Sequence, residues 1–360
     1  MVGAASPVPS PEPGTPRVER PPLGRIWTAV GPFLGLIGTV LLFAWLTRES
    51  GSFMTVYNWR TISVQTVIVA TAALGMTLVM IAGGIDLSVG SVVALVCVLC
   101  AWAARGFQWT APGLLGGGTL TVAPIPMAWV LVIGVVCGGI CGAVNGGLIT
   151  GLGVVPFIIT LGSLKIYRGF ATWLANSTSV RVPANAVPGW FGRVLAIEPE
   201  PAWLVVAPGV WVLLGLSVAL ALVLRYTLLG RYVYAVGSNE STARLCGVNV
   251  PLVKVGVYAA AGLAFGLAGV FQFIYISADG DPTTAPGMEL QVIAAVVIGG
   301  ASLSGGEGTV LGTLIGCLIM AVLANGCVLA GIPNASQDII IGAIIVAAVA
   351  LDRYRRSLET

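Results

Sequence analysis

The sequence predicts an all-α membrane protein: a polytopic helical bundle of about ten transmembrane segments with both termini in the cytoplasm. Three observations lead there. Only 9% of the 360 residues are charged and 57% are hydrophobic, whereas soluble domains carry about 25% charged residues. Apolar runs recur along the whole chain, many of them close to the ~20 residues a helix needs to cross a bilayer. Lysine and arginine gather in alternate loops, the asymmetry that orients such bundles.

The apolar segments fall at 26–46, 62–82, 87–104, 127–149, 154–174, 203–224, 252–276, 288–301, 308–330 and 337–351. The first follows a head, residues 1–24, that holds seven of the 21 prolines. So proline-rich a stretch cannot build a packed core and is expected to be a disordered cytoplasmic tail. It lacks the order of a signal peptide, so segment one is expected to remain as a helix. The second segment ends in the polar, glycine-rich string AGGIDLSVGS, residues 82–91, where the third begins. The eighth and tenth are short for a full crossing and can tilt, or turn back within protein. The remaining bounds give a transmembrane domain over 25–352 and a short cytoplasmic tail over 353–360.

If all ten cross and the N-terminus lies inside, the cytoplasmic side holds ten basic residues, among them Arg225, Arg231, Arg244, Lys254 and the Arg353, Arg355, Arg356 cluster. The outer side holds five, and Lys165 and Arg168 lie within segment five, accounting for all 17. The longest outer stretch is 175–202 and the longest inner loop is 225–251, so no folded soluble domain is available for chemistry.

Composition excludes several classes. There is no histidine, which removes histidine-based metal and general-base sites. Six of the seven cysteines sit in apolar segments, where Cys97 and Cys100 read as small packing residues rather than a redox pair. No G-x-x-x-x-G-K-[ST] occurs, so the chain has no P-loop to cradle nucleotide. No catalytic residue, metal site or nucleic-acid partner is expected.

Asp86, within AGGIDLSVGS, has two readings. It or Ser88 caps the third helix, meeting orphan N–H groups and the positive end of the helix dipole. Alternatively the helix is broken within membrane depth and lines a substrate path, where a carboxylate costs about 2.5–3.5 kcal/mol on insertion scales and is kept for a partner or a function. A similar string, Gly299 to Gly306, matches Gly83 to Gly90 at five of eight places. With 49 glycines in the chain, chance accounts for the match more simply than an internal repeat.

In the inner loop, Gly237-Ser238-Asn239 reads as a turn, Glu240 to Cys246 as a short helix and Gly247 as its stop. Glu240 and Arg244 stand at i,i+4 in the favourable order. Either this is a solvated hairpin or a helix that docks on a cytoplasmic partner, with Leu245 as apolar anchor.

Together, GMTLVMIAGGIDLSVGS (75–91), FIITLGSLKIYRG (157–169), GRYVYAVGSNESTARLCGVNV (230–250) and IAAVVIGGASLSGGEGTVLGTLIG (293–316) resemble the permease subunits of bacterial ABC importers for monosaccharides of the ribose, xylose and galactose type. The resemblance spans residues 55–351 in family order and excludes the proline-rich head. It implies an inner-membrane subunit that pairs with a second permease, receives sugar from an extracytoplasmic binding protein and sits on a separate ATPase. ATP and magnesium would then be bound by that partner and no cofactor by this chain. It implies that Asn239, Glu240, Arg244, Leu245 and Gly247 form the coupling contact.

Uncharged polar residues within the segments suit a neutral polyol in transit: Gln65, Thr66, Thr77, Asn145, Thr160, Ser163 and Asn325. Asp86 and Ser88 join them if the broken-helix reading holds. An ion-coupled secondary transporter would instead use Asp86, Lys165, Arg168 or Glu289. A channel or scaffold is a further alternative, and dependence on ATP and a binding protein separates these classes.

Overall fold

Each of the ten apolar stretches is a helix in the computed structural model, which describes residues 23–49, 51–110 and 119–357. The proline-rich head lies outside the described residues apart from Leu23 and Gly24, where the first helix starts. In chain order the long helices are α1 (Leu23–Leu46), α2 (Val56–Ile81), α3 (Val89–Arg105), α4 (Met127–Leu152) and α5 (Pro156–Leu174). A five-residue helix, α6 (Gly189–Arg193), precedes α7 (Pro208–Tyr226), α8 (Leu228–Ser238), α9 (Glu240–Leu245) and α10 (Val250–Tyr275). Then come α11 (Met288–Ile298), α12 (Val310–Leu329) and α13 (Asn334–Ser357), which runs on through the basic residues expected in the C-terminal tail. Among the described residues, five helices are long and apolar enough to cross a membrane: α2, α4, α10, α12 and the Ala202–Tyr226 stretch that contains α7.

Two small sheets lie between helices and were not foreseen. β1 (Phe107–Thr110) pairs antiparallel with β2 (Thr119–Val122), Phe107 opposite Val122. β3 (Val180–Arg181) pairs with β4 (Asp279–Gly280), joining the α5–α6 connection to the loop after α10. Alternation over four residues is too short to stand out against long apolar runs.

The layering follows from which helices carry apolar residues on every side. α2 is buried continuously from Thr66 to Ile68 and from Ala70 to Ile81, and α3 almost throughout. Such helices belong to the centre of a bundle. α4 and α7 bury one stripe and turn Trp129, Val132, Val136, Trp211, Val218 and Leu222 outward. Trp45, Trp129, Trp173 and Trp203 are exposed and lie within a few residues of helix ends, where the amphipathic indole suits a membrane interface.

The tightest packing is between α4 and α10. Gly134, Gly138, Gly142 and Gly146 recur every fourth residue, so they line one face of α4. A Cβ at Gly138 would strike Gly262 and Gly266 of α10, and one at Gly142 the Tyr258 carbonyl. Glycine permits this backbone approach, and dispersion between close backbones holds helices together where lipid supplies no hydrophobic drive.

Candidate functional site

α2 stops because the chain closes a Schellman motif. Gly84 N–H donates to the Val79 carbonyl at 2.9 Å and Gly83 N–H to the Met80 carbonyl at 2.9 Å. Gly83 adopts φ +79°, a left-handed conformation that glycine adopts without strain. The carbonyls left open at the helix end are thereby satisfied.

The segment that follows is not a simple cap. Ser88 holds the N-cap position of α3 but its side chain accepts nothing from the helix. Instead Asp86 Oδ1 accepts from the Ser88 N–H at 2.8 Å and from the Ser88 hydroxyl at 2.6 Å. Asn145 of α4 donates through Nδ2 to Asp86 Oδ2 at 3.4 Å and to Ser88 Oγ at 3.0 Å. The Tyr167 hydroxyl of α5 lies 3.0 Å from Asn145 Oδ1, and Thr160 donates to the Ile85 carbonyl at 3.2 Å. Asp86, Ser88, Asn145 and Thr160 are wholly buried. The break between α2 and α3 is therefore knotted to α4 and α5 by a polar network with no basic side chain among its hydrogen-bond partners. A carboxylate so placed is tolerable because each oxygen accepts from fixed donors.

The other expected path residues do not gather in one place. Thr77 is sealed between helices, its hydroxyl 2.7 Å from that of Thr313 on α12. Thr66 donates to the Ile62 carbonyl of its own helix, and Ser163 is buried on α5. Gln65 and Asn325 border a common cavity of about 290 Å³. Sequence reasoning passed over Tyr167 in the knot and Gln291 and Gln337 beside that cavity. Gln291 was findable by the rule that selected Gln65, an amide within an apolar segment.

The loop over 225–251 is more helical than its turn residues suggest. Gly237 and Ser238 belong to the last turn of α8, not to a turn, and Asn239 is the N-cap of α9, accepting from Thr242 N–H at 2.9 Å. Gly247, at φ +83°, ends α9 as expected. Glu240 bridges Arg244 at 3.2 Å and Lys254 of α10 at 2.7 Å. The Lys254 ammonium holds the Glu240 carboxyl below the usual carboxylate range. Lys254 escaped notice because its partner is fourteen residues away. Leu245 is 89% exposed, an apolar side chain held outward on an ion-paired base.

α8 links this base to the helix break. A Cβ on Gly237 would fall on the Ile81 carbonyl, the last residue of α2. That carbonyl accepts from Gly306 N–H at 2.8 Å. The strings Gly83–Gly90 and Gly299–Gly306, alike in sequence, thus meet in space beneath α8.

Among the described residues no group of three or more metal-ligating side chains comes together. Apolar helices packed around a buried polar knot, with long apolar helices turning hydrophobic side chains outward, make a multi-pass helical membrane protein. The chain belongs to the family described as branched-chain amino acid transport system, permease component, which matches residues 58–349. It is 37% identical over 329 residues to the ribose import permease protein of Escherichia coli K12, covering 89% of this chain and 93% of that one. It is 37% identical over 337 residues to the Bacillus subtilis 168 ribose import permease protein, 91% and 93% covered. The L-arabinose ABC transporter permease protein of Azospirillum brasilense is 31% identical over 334 residues, 93% and 91% covered. No solved structure matches significantly. The chain is a permease subunit of an ABC importer, a translocation subunit and not an enzyme.

Proposed function

We propose that this permease carries a monosaccharide of the ribose, xylose or galactose type across the bacterial inner membrane. A binding protein outside would deliver the sugar, a second permease would complete the path, and a cytoplasmic ATPase would bind ATP and magnesium. The observation that carries the mechanism is the outward Leu245 on α9. α9 is fixed to α10 by Glu240–Lys254, and α8 touches the ends of α2 and the Gly299–Gly308 segment. Movement of a docked ATPase would pass from Leu245 through α8 to the break at Gly83–Ser88 and so to α4 and α5. The topology proposed has ten crossings with both ends inside. The basic-residue asymmetry supports it, and the tryptophans then fall at the outer interface. Ion coupling through Asp86 is disfavoured because its carboxylate is enclosed by the knot.

The test is Leu245→Asp in the complete importer. A buried apolar anchor contributes about 1.5–3 kcal/mol, so ATPase binding should weaken roughly 10–150-fold. Tagged permease should then lose its ATPase on purification and uptake should stop, while the permease stays inserted. Glu240→Ala should weaken binding less, since exposed pairs contribute about 0–1 kcal/mol. Retention of the ATPase at the wild-type ratio with normal uptake would refute docking at α9.

A further inference from the structure

Four amide side chains from four helices converge on one cavity: Gln65 of α2, Gln291 of α11, Asn325 of α12 and Gln337 of α13. Asn325 is 8% exposed, and its Oδ1 is buried without a hydrogen-bond partner. Gln337 is oriented by donating through Nε2 to the Ile332 carbonyl at 3.0 Å. The rest of the wall is almost wholly apolar and none of it is charged. At about 290 Å³ the cavity is near the lower bound of roughly 300 Å³ for small-molecule sites, and far above the ~30 Å³ share of one water.

The chemistry selects a ligand class. Each amide offers a donor and an acceptor, as each sugar hydroxyl does. Apolar walls suit the C–H faces of a sugar ring. A zwitterionic amino acid would leave two charges without partners, at a cost that excludes it from such a site. We propose that this cavity is an intramembrane way-station for a neutral polyol, with Asn325 and Gln291 hydrogen-bonding hydroxyls and Gln65 closing the ring of amides. In the topology above it lies in the outer half of the bundle, between the delivery face and the knot at Asp86. The assignment rests on the sugar-permease reading and deepens it.

The experiment uses the complete importer in proteoliposomes with its ATPase and binding protein, offered labelled D-ribose, D-xylose, D-galactose, L-arabinose, D-allose and L-leucine in turn. If no monosaccharide enters with the wild type, the sugar-permease reading falls and the way-station with it. If one enters, that sugar is used with the triple variant Gln65→Leu, Gln291→Leu, Asn325→Leu. Import should drop about tenfold or more through lost hydrogen bonds to the sugar. Stimulation of ATP hydrolysis by the loaded binding protein should stay within about twofold, so ATP spent per sugar rises by a similar factor. Ala321→Phe, which fills the cavity and keeps every amide, should give the same uncoupled signature and decides the matter if the triple variant fails to fold. Wild-type import in either variant, or a parallel loss of import and ATP hydrolysis, overturns the way-station and leaves the sugar-permease reading intact.

Discussion

Replacing Gly142 by alanine puts a methyl group on the Tyr258 carbonyl and 2.9 Å from the Gly262 Cα. Carbon atoms prefer about 3.5–4.0 Å, so α4 and α10 must part by something near 1 Å, and a gap of that size forfeits a quarter to a half of each dispersion contact along the seam. Overpacking of this kind costs about 1–3 kcal/mol. Alanine also gains about 0.8–1.0 kcal/mol over glycine in helix propensity, which masks part of the loss. The control is Gly147→Ala on the same helix, where a Cβ meets nothing within 4 Å. The propensity gain is common to both, so it cancels in their difference and leaves the packing cost of about 1–3 kcal/mol. Thermal unfolding read by a thiol-reactive dye suits this chain, because Cys97, Cys100, Cys141 and Cys317 are buried when folded. Gly147→Ala should melt at or above wild type, and Gly142→Ala clearly below Gly147→Ala. If the two melt together, the glycine ladder is not what sets the distance between α4 and α10.

Three other outcomes follow from the geometry. Asp86→Asn keeps an acceptor for Ser88 but faces the Asn145 amide with another donor, whereas Asp86→Leu strands the Ser88 N–H and hydroxyl, at about 1–3 kcal/mol for each buried unsatisfied group. Folded yield in detergent should fall modestly for Asn and severely for Leu; full yield with abolished uptake in Asn would mean that the charge itself works in transport. The depressed Glu240 carboxyl stabilises the seat of α9 fully above the ordinary glutamate value of about 4.3, and that contribution is lost as pH falls through the lower folded value. At 43% side-chain exposure it amounts to no more than about 1 kcal/mol. A nitroxide on the exposed Cys246 should therefore loosen as the pH falls below the ordinary glutamate value, and Glu240→Gln should remove that step; an identical step in both proteins would sink the assignment. Gly237→Ala should disturb the Ile81–Gly306 contact beneath α8, lowering import while the ATPase stays docked, and Gly256→Ala, with open space around it, should transport normally.

The helices were legible because hydrocarbon removes choice: every spanning segment must satisfy its own backbone, so length and hydropathy suffice to find it. The ten apolar stretches became α1 to α5, α7 and α10 to α13. The short helix α9 was equally legible, since Asn239, Glu240 and Gly247 carry local cap, charge and stop signals that act within a few residues. α8 was not, because its turn-like Gly237-Ser238 pair is overruled by packing against the end of α2.

The sequence by itself determined the class of protein, the positions of the ten long apolar stretches, the polar string at 82–91 and the chemistry available at each polar position. Tertiary structure alone decided which polar residues meet. Asp86 is joined to Asn145, 59 residues away, and Thr77 to Thr313, 236 residues away. Gln65 shares a cavity with residues of α11, α12 and α13. Periodicity shows which face of a helix is polar only when the other face is not, and in α2 and α3 both faces are apolar because both are buried. There the partner is chosen by which neighbouring backbones come close enough, and at the α4–α10 seam that choice is made by glycines at one end of the approach and the Tyr258 carbonyl at the other.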